Sequence, residues 1–541
     1  MKERSIRPVK EFRYTDLFID FLDKKPAIKK YFFRDTANET AIRIDNPRVD
    51  RGLMCDILKR QNIAFKAKPE TFCTIEKLRH EDALCIFAGQ QAGLFGGPLL
   101  TLYKAIGIVN QAKLLEQELH RPVVPIFWIA ADDHDFEEID IVFYLDKQGE
   151  LTKLNYGVAP ETRIPSAEIL LDNEEAYHAL ADSARAAYGS TGFSENLLGR
   201  LFDAYSLNSN MVEAFGKFLL DTLPDMGLIV FSPADKEVKT ISKGFFKRLA
   251  EGFFNLKELL EETERNLAAD GYHIQAEKRE SAVHLFFHAP ERIAIHFKDD
   301  SFVVGEKTLG ISGLLDLIEK NPEKFSPDVL TRPLWQSYLF PVVAQAGGPS
   351  EIAYFAQIGK LFEPFNLVQP YYYFRPALTI VEKRHEDFLE KFDLKLVDLT
   401  GDVEELINRV TARSFPKEME AQIASFRARF EDAYNELFSS VRQFDETLEP
   451  LGKQTYGKID FAINAFEKKI YDHHKRKMES TRNQIYRLST ALFPNRNLQE
   501  RSLNINYYIS KYGFGIVDFI VGSIETGNDE HQMIYISEFE A

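Results

Sequence analysis

Between Leu84 and Asp140 two short apolar runs bracket a glycine loop and a helical pattern. No other stretch restricts the fold of this 541-residue chain so strongly. Leu84 to Ala88 is a continuous apolar run of the kind that forms a buried strand. Gly89, Gly93, Gly96 and Gly97 then keep a loop free of bulk, and Pro98 suits the first position of a helix, where its missing N–H costs nothing. From Leu99 apolar residues recur at helical spacing, through Leu102, Ala105, Ile106, Val109 and Leu114. Val123 to Ala130 is a second buried strand. Two apolar strands joined by a helix make a βαβ unit, which requires a parallel sheet and places the chain in the α/β class.

In such a sheet ligands bind beyond the carboxyl ends of the strands. Gln90 and Gln91 follow the first strand, and Asp132, Asp133, His134 and Asp135 follow the second. The active site is expected there. His134 suits general acid–base work, and the acid cluster suits an amine or a Mg²⁺ ion. Glu137 and Glu138 read better as first-turn residues favoured by a helix dipole. The glycine loop carries neither a Walker A nor a GxGxxG pattern, although its free N–H groups before a helix offer an anion site.

A second glycine-led helix start, Gly347–Gly348–Pro349, follows the apolar run Pro341 to Ala346. The two starts could face one cleft, with Glu351, Tyr354 and Gln357 on the first turns of the second helix. Arg332 and Arg375 would suit a phosphate or carboxylate. Segments 145–225 and 273–330 look inserted. His284, His288 and His296 in the latter invite a metal reading, but alternating strands commonly carry histidine on a wet face. No resident metal site is assigned.

From 403 to 492 the pattern changes. Met419, Ile423, Phe426, Phe430, Ala433, Leu437, Val441, Phe444 and Leu448 keep three-four spacing. After a turn at Glu449–Pro450–Leu451–Gly452 it resumes through Ile459, Ile463, Phe466 and Ile470. This predicts an antiparallel pair of long helices. So much aromatic bulk on a thin layer would stay wet, so a homodimer through this arm is expected. The tail, 493–541, returns to globular chemistry; Arg496, Gln499, Arg501 and Asn504 could hold a phosphate. Residues 1–402 form the core.

Charge narrows the partners. A net charge of −16 and a pI near 5.4 argue against nucleic acid. Cys55, Cys73 and Cys85 form no CxxC pair and suit a reducing cytoplasm. The N-terminus is charged without an apolar signal core, and no run reaches the ~18 apolar residues of a membrane span. A cytoplasmic protein with small-molecule partners is expected.

GQQAGLFGGPLLTLYK, FWIAADDHDFEEI, RPLWQSYLFPVVAQAGGPSEIAYFAQI and LFPNRNLQERSLN together resemble the bacillithiol biosynthesis cysteine-adding enzyme family over nearly the whole chain. The resemblance implies a Rossmann-like core with inserted connective segments, related in shape to class I aminoacyl-tRNA synthetases, and a dimerising coiled-coil arm. It also implies a ligase joining cysteine to glucosaminyl-malate by an amide bond, the last step of bacillithiol biosynthesis. Amide formation from a free carboxylate needs activation, and ATP (leaving ADP or a related product) is the expected cofactor. In that setting Gln90, Gln91, Asp132, Asp133 and His134 are the catalytic candidates. Gly89, Gly97, Asp135, Gly348, Glu351, Tyr354 and Gln357 would bind substrate, and Arg496, Gln499, Arg501 and Asn504 nucleotide. The chain departs from the synthetases in lacking their HIGH motif, with Gly97–Pro98–Leu99–Leu100 in its place. Lys477–Met478–Glu479–Ser480 lies within a helical pattern and is no KMSKS loop. Two other classes compete: a non-catalytic nucleotide- or metabolite-binding scaffold, and a metal-dependent hydrolase using Asp132, Asp133 and His134.

Overall fold

A computed structural model of the chain describes residues 4–7, 10–44, 49–189, 191–276 and 281–539. Its centre is an all-parallel sheet of β1 (Leu84–Gln90), β2 (Val123–Ile129), β3 (Ile229–Phe231), β4 (Val342–Gly347) and β5 (Tyr371–Phe374). The strand order is β5-β4-β1-β2-β3. The chain therefore steps outward from β1 through β2 to β3, then crosses to the other side of β1 for β4 and β5. That reversal is a topological switch point, and it lies between β1 and β4. Both faces of a parallel sheet are covered, so its strands read as unbroken apolar runs. Every residue of β2 is buried, as are the first five of β1. Phe87, Trp128, Phe231 and Phe340 pack together through edge-to-face and tilted ring contacts.

The expected connecting helix runs Leu99–Leu119, with Pro98 one place earlier than predicted, at the N-cap. The first insertion contains an antiparallel hairpin, Ile141–Leu145 with Leu151–Asn155, followed by helices. Two of these helices are Ser194–Ala204 and Met211–Thr222, the second capped by Asn210. The second insertion is a five-stranded antiparallel sheet between β3 and β4. Its order is Lys307–Leu309, Ser301–Val304, Arg292–Lys298, Ala282–His288 and Phe325–Pro327.

The tail returns into the core. Strand His531–Tyr535 lies between Ser5–Ile6 and Ala377–Val381. At the start of the tail, helix Gln499–Ser502 makes a fully buried ion pair, Glu500 to Arg375 at 2.6 Å. Glu500 also accepts from the N–H of Leu378 at 2.9 Å, and Gln499 bonds both the N–H and the carbonyl of Ile380. Arg375, read from sequence as suited to a phosphate or carboxylate, has Glu500 as its carboxylate partner and also lines the cavity described below.

The chain folds as two compact units, Met1–Lys383 with Asn497–Ala541, and Arg384–Arg496. The second unit begins before the periodic stretch, because helix Lys383–Phe392 opens it. It contains the expected hairpin: Lys417–Phe444 and Glu449–Lys477, followed by Glu479–Leu492. The turn comes earlier than predicted, at Asp445–Leu448, and Glu449, Pro450, Leu451 and Gly452 already belong to the second helix. Gly452 is required there, since a Cβ would stand 2.1 Å from the Phe438 ring. The seam also differs. Ile423, Arg427, Phe430, Tyr434, Phe438 and Val441 face the second helix, with Arg427 bound to Glu467 at 2.8 Å. Phe426, Leu437, Phe444 and Phe466 lie outside it and are exposed, Phe444 by 86%. Two adjacent apolar columns share the same three-four spacing, and periodicity alone cannot say which one the partner helix covers. Among the described residues no helix is long and apolar enough to cross a membrane.

Removing one member of a buried ion pair leaves the other charge stranded, at a cost of about 3–5 kcal/mol. Glu500→Ala is expected to lower the unfolding free energy by about that amount, read by urea melts. A loss under about 1 kcal/mol would show that the tail is not anchored through this pair.

Candidate active site

The switch point opens into a cavity of ≈ 1310 Å³ lined only by first-unit residues. That volume exceeds the roughly 300–1,000 Å³ of an ordinary small-ligand site and suits more than one substrate.

One wall is the glycine loop after β1. Gly93 allows a close approach, because a Cβ there would lie 2.8 Å from the Cα of Gly97. Tyr205 ties the loop, its hydroxyl donating to the Gly93 carbonyl at 2.8 Å and accepting from the Gly96 N–H at 3.0 Å. The carbonyls of Phe95 and Gly97 accept from Asn504, and Asn506 adds a bond to Phe95 at 3.0 Å. Both asparagines are buried. Asn504 and Gln499, predicted as phosphate ligands, are therefore occupied by backbone, and neither lines the cavity. Arg496 lies in the second unit, paired with Asp402 at 3.3 Å. Of the four tail residues only Arg501 lines the cavity.

The floor joins the two glycine-led helix starts. Lys104, on the helix after β1, is 2.7 Å from Glu351, on the Pro349–Ile358 helix after β4. Lys104 also donates to the carbonyl of Gly89 at 2.8 Å and to Oε1 of Gln90 at 3.0 Å. Glu351 accepts from the Gly348 N–H at 2.9 Å. Burial would raise the Glu351 pKa, but the Lys104 charge and these hydrogen bonds hold it below the usual carboxylate value. Tyr354 accepts from Arg332 at 2.7 Å. Gln357 is buried, bonded to Ala276 and Glu264, and away from the cavity lining.

The acidic loop after β2 forms the opposite wall. Asp132 sits 2.6 Å from Lys239, a fully buried lysine that also donates to the carbonyl of Phe325 at 2.9 Å. Asp133 accepts from Gln91 at 2.7 Å and from the N–H of His134 at 2.8 Å. Asp135 caps the short helix Phe136–Ile139 and does not line the cavity; nor does Gly97. Glu137 and Glu138 do line it, and burial raises the pKa of Glu138. The aspartates are thus anchors with partners of their own. Among the described residues no group of three or more His, Cys, Asp or Glu is placed to hold a metal ion. The insertion histidines do not converge either: His284 bonds Asp328, His288 bonds Ser326 and His296 bonds Ser281.

His134 receives a partner that sequence could not supply. Arg292, on the inserted sheet, places Nη1 3.2 Å from Nδ1 of His134 and stacks its guanidinium 3.6 Å over Phe286. A guanidinium only donates, so Nδ1 accepts and the ring proton sits on Nε2. Burial, and then the Arg292 charge, push the His134 pKa down. The predicted proton-transfer residue is held as a neutral N–H donor.

Thus Gly89, Gln90, Gln91, Asp132, Asp133, His134, Gly348, Glu351, Tyr354 and Arg501 are gathered around one cavity. Sequence reading missed Lys104, Arg163, Arg292 and Asp328. A single lysine inside the apolar run LLTLYKAIGIV was a usable signal for Lys104, since an unpaired lysine is almost never buried. The others come from insertions, where nothing in the local pattern points inward.

The family model described as Bacillithiol biosynthesis BshC, N-terminal Rossmann-like domain matches residues 1–376. That described as Bacillithiol biosynthesis BshC, C-terminal coiled-coil domain matches residues 378–536. A protein of Geobacillus kaustophilus is 32% identical over 497 residues, 90% of this chain and 91% of its own. One of Geobacillus thermodenitrificans is 31% identical over 537 residues, 96% and 98%. One of Salinibacter ruber is 28% identical over 530 residues, 96% of each. All three carry the name "Putative cysteine ligase BshC".

If Arg292 holds His134 neutral, Arg292→Ala should raise the His134 pKa, since burial and then the Arg292 charge are what push it down. NMR titration of the imidazole, assigned with His134→Ala, reads this directly. An unchanged or lower value would remove Arg292 from the account.

Proposed function

Because the chain belongs to the BshC family of bacillithiol biosynthesis, we propose that it is a ligase joining the carboxyl of cysteine to the amine of glucosaminyl-malate. The observation that carries this reading is the cavity's charge pattern. Its lysine and aspartate anchors are paired, whereas Arg163, Arg332 and Arg501 line it without a carboxylate partner among the described residues. Such guanidiniums suit the carboxylates of a malate group and the phosphates of a nucleotide. The volume accommodates both substrates. Nucleotide binding at the switch point accords with the general rule for open α/β sheets, and Arg501, the one of the four tail candidates that lines the cavity, would meet its phosphate. Mg²⁺ would come with the nucleotide, held chiefly by phosphate oxygens, as this ion generally prefers.

In this reading ATP activates the cysteine carboxyl, and the His134 N–H supports the carbonyl oxygen as negative charge builds on it. Gln91 and Asp133 fix the loop that carries His134. Purified protein with ATP, Mg²⁺, cysteine and glucosaminyl-malate should form the cysteinyl amide, detected by mass spectrometry. Arg332→Ala and Arg501→Ala should each raise a substrate KM by roughly 10- to 100-fold, as expected for losing a charged hydrogen bond. Product formation with unchanged KM values in both variants would place the anions elsewhere; no product and no nucleotide turnover would end the ligase reading.

The exposed Phe426, Phe444, Phe461 and Phe466 columns support a homodimer built through the arms. Changing Phe426, Phe444 and Phe466 to glutamate should give a helical monomer by light scattering. A dimer that survives the triple change would move the interface off this face.

A further inference from the structure

Amide formation needs a base. The amine of an amino sugar is largely an ammonium ion near neutral pH, and only the free amine attacks a carboxyl carbon. His134 cannot serve, because its one free lone pair accepts from Arg292. Another proton acceptor must face the same cavity.

The inserted sheet supplies it. Ala282, His284 and Phe286 from one strand and Arg292, Ala294 and His296 from the next line the cavity. Between Ala282 and Phe286 the register slips: four steps on this strand match two on its partner, from His296 to Ala294. Such bulges re-aim a side chain and recur beside active sites. Within the bulge His284 takes φ 63, a left-handed conformation costly for a residue with a Cβ and typical of functional positions. Its side chain is 0% exposed, and Nδ1 lies 2.6 Å from Oδ2 of Asp328. The other oxygen of Asp328 accepts from the N–H groups of Leu330 and Thr331 and from the Thr331 hydroxyl. Burial would raise the Asp328 pKa, but His284 and these donors outweigh it and hold it at about 2. The carboxylate is therefore a fixed acceptor for Nδ1–H. Nε2 of His284 is buried in the cavity wall and has no hydrogen-bond partner among the described residues, so a substrate amine reaches it only when that wall shifts. Arg292 links the two histidines: besides binding His134 it donates to the carbonyl of Pro327, next to Asp328.

We propose that His284 is the catalytic base of the ligase reaction and that Asp328 is its positioning residue, an inference that rests on the ligase reading above. The ammonium of the glucosaminyl substrate gives one proton to Nε2 of His284. The freed nitrogen lone pair forms the C–N bond to the carboxyl carbon of cysteine, activated as a phosphoric anhydride made from a nucleoside triphosphate. The C–O bond of the anhydride breaks, and the phosphate leaves with the electron pair and takes up the second proton that the nitrogen sheds on becoming an amide. His134 and His284 thus divide the work, one donating an N–H and the other accepting a proton.

Hydroxylamine separates these functions, because it is mostly uncharged near neutral pH and attacks activated carboxyls without a base. Full-length His284→Ala and Asp328→Asn are assayed for the amide and, with hydroxylamine replacing the amino sugar, for the cysteine hydroxamate. The expected result is a fall in amide kcat of at least about 10²-fold, with KM for glucosaminyl-malate and the hydroxamate rate within about threefold of wild type. Asp328→Asn keeps the shape of the site and guards against a folding defect in His284→Ala. Folded variants whose amide kcat stays within about threefold, or that lose hydroxamate and amide alike, overturn the proposal while leaving the ligase reading intact. A wild-type protein forming neither product with any nucleoside triphosphate overturns both.

Discussion

The crevice is organised by one buried ion pair, Lys104 with Glu351 at 2.7 Å. The two residues come from helices that follow strands on either side of the switch point, far apart in sequence. A buried pair contributes little net stability, because desolvation offsets the Coulomb gain. Its value lies in geometry. Lys104 can meet Glu351, the carbonyl of Gly89 and the side chain of Gln90 only if both helix starts stand in one relative position. The carboxyl ends of β1 and β4 are thereby held apart at a fixed width. With these charges matched internally, Arg332 and Arg501 line the cavity without a carboxylate partner among the described residues.

The tail extends the same logic. A glycine loop exposes carbonyls that burial would strand, and buried backbone groups must find partners. Asn504 and Asn506 supply them for Phe95 and Gly97, while Glu500 meets Arg375 and Gln499 meets Ile380. The segment after the helical arm is therefore part of the first unit's core. Its dense polar sequence reflects mainly bonds made within the fold, and Arg501 is the one of the four candidate tail residues that lines the cavity.

The inserted antiparallel sheet gives the cavity its other chemistry. A parallel core offers only loops at its strand ends. Strands Ala282–His288 and Arg292–Lys298 bring alternating side chains to that opening, so Arg292 reaches His134 and the His284–Asp328 pair joins the same wall. The resulting site surrounds the His134 imidazole with a guanidinium and anchored carboxylates.

Much of this was legible in the chain itself. Unbroken apolar runs around a glycine loop can hardly be anything but buried parallel strands and their connection, and the carboxyl-end rule then points to Gln90, Gln91 and Asp132 to His134. Three-four spacing over long stretches made the helical hairpin plain. Other features were decided only by the folded chain. Which apolar column forms the hairpin seam depends on the facing helix, so Phe426 and Phe444 fell outside while Arg427 and Tyr434 fell inside. Whether a polar residue binds a ligand or a backbone group depends on what lies opposite, and for Gln357, Gln499 and Asn504 it was backbone. The hydrogen-bond partners of His134 and His284 are Arg292 and Asp328, residues distant in sequence. Local pattern carries period and burial, because both repeat along the chain. Proton placement and pairing arise from single long-range contacts, which leave no periodic trace.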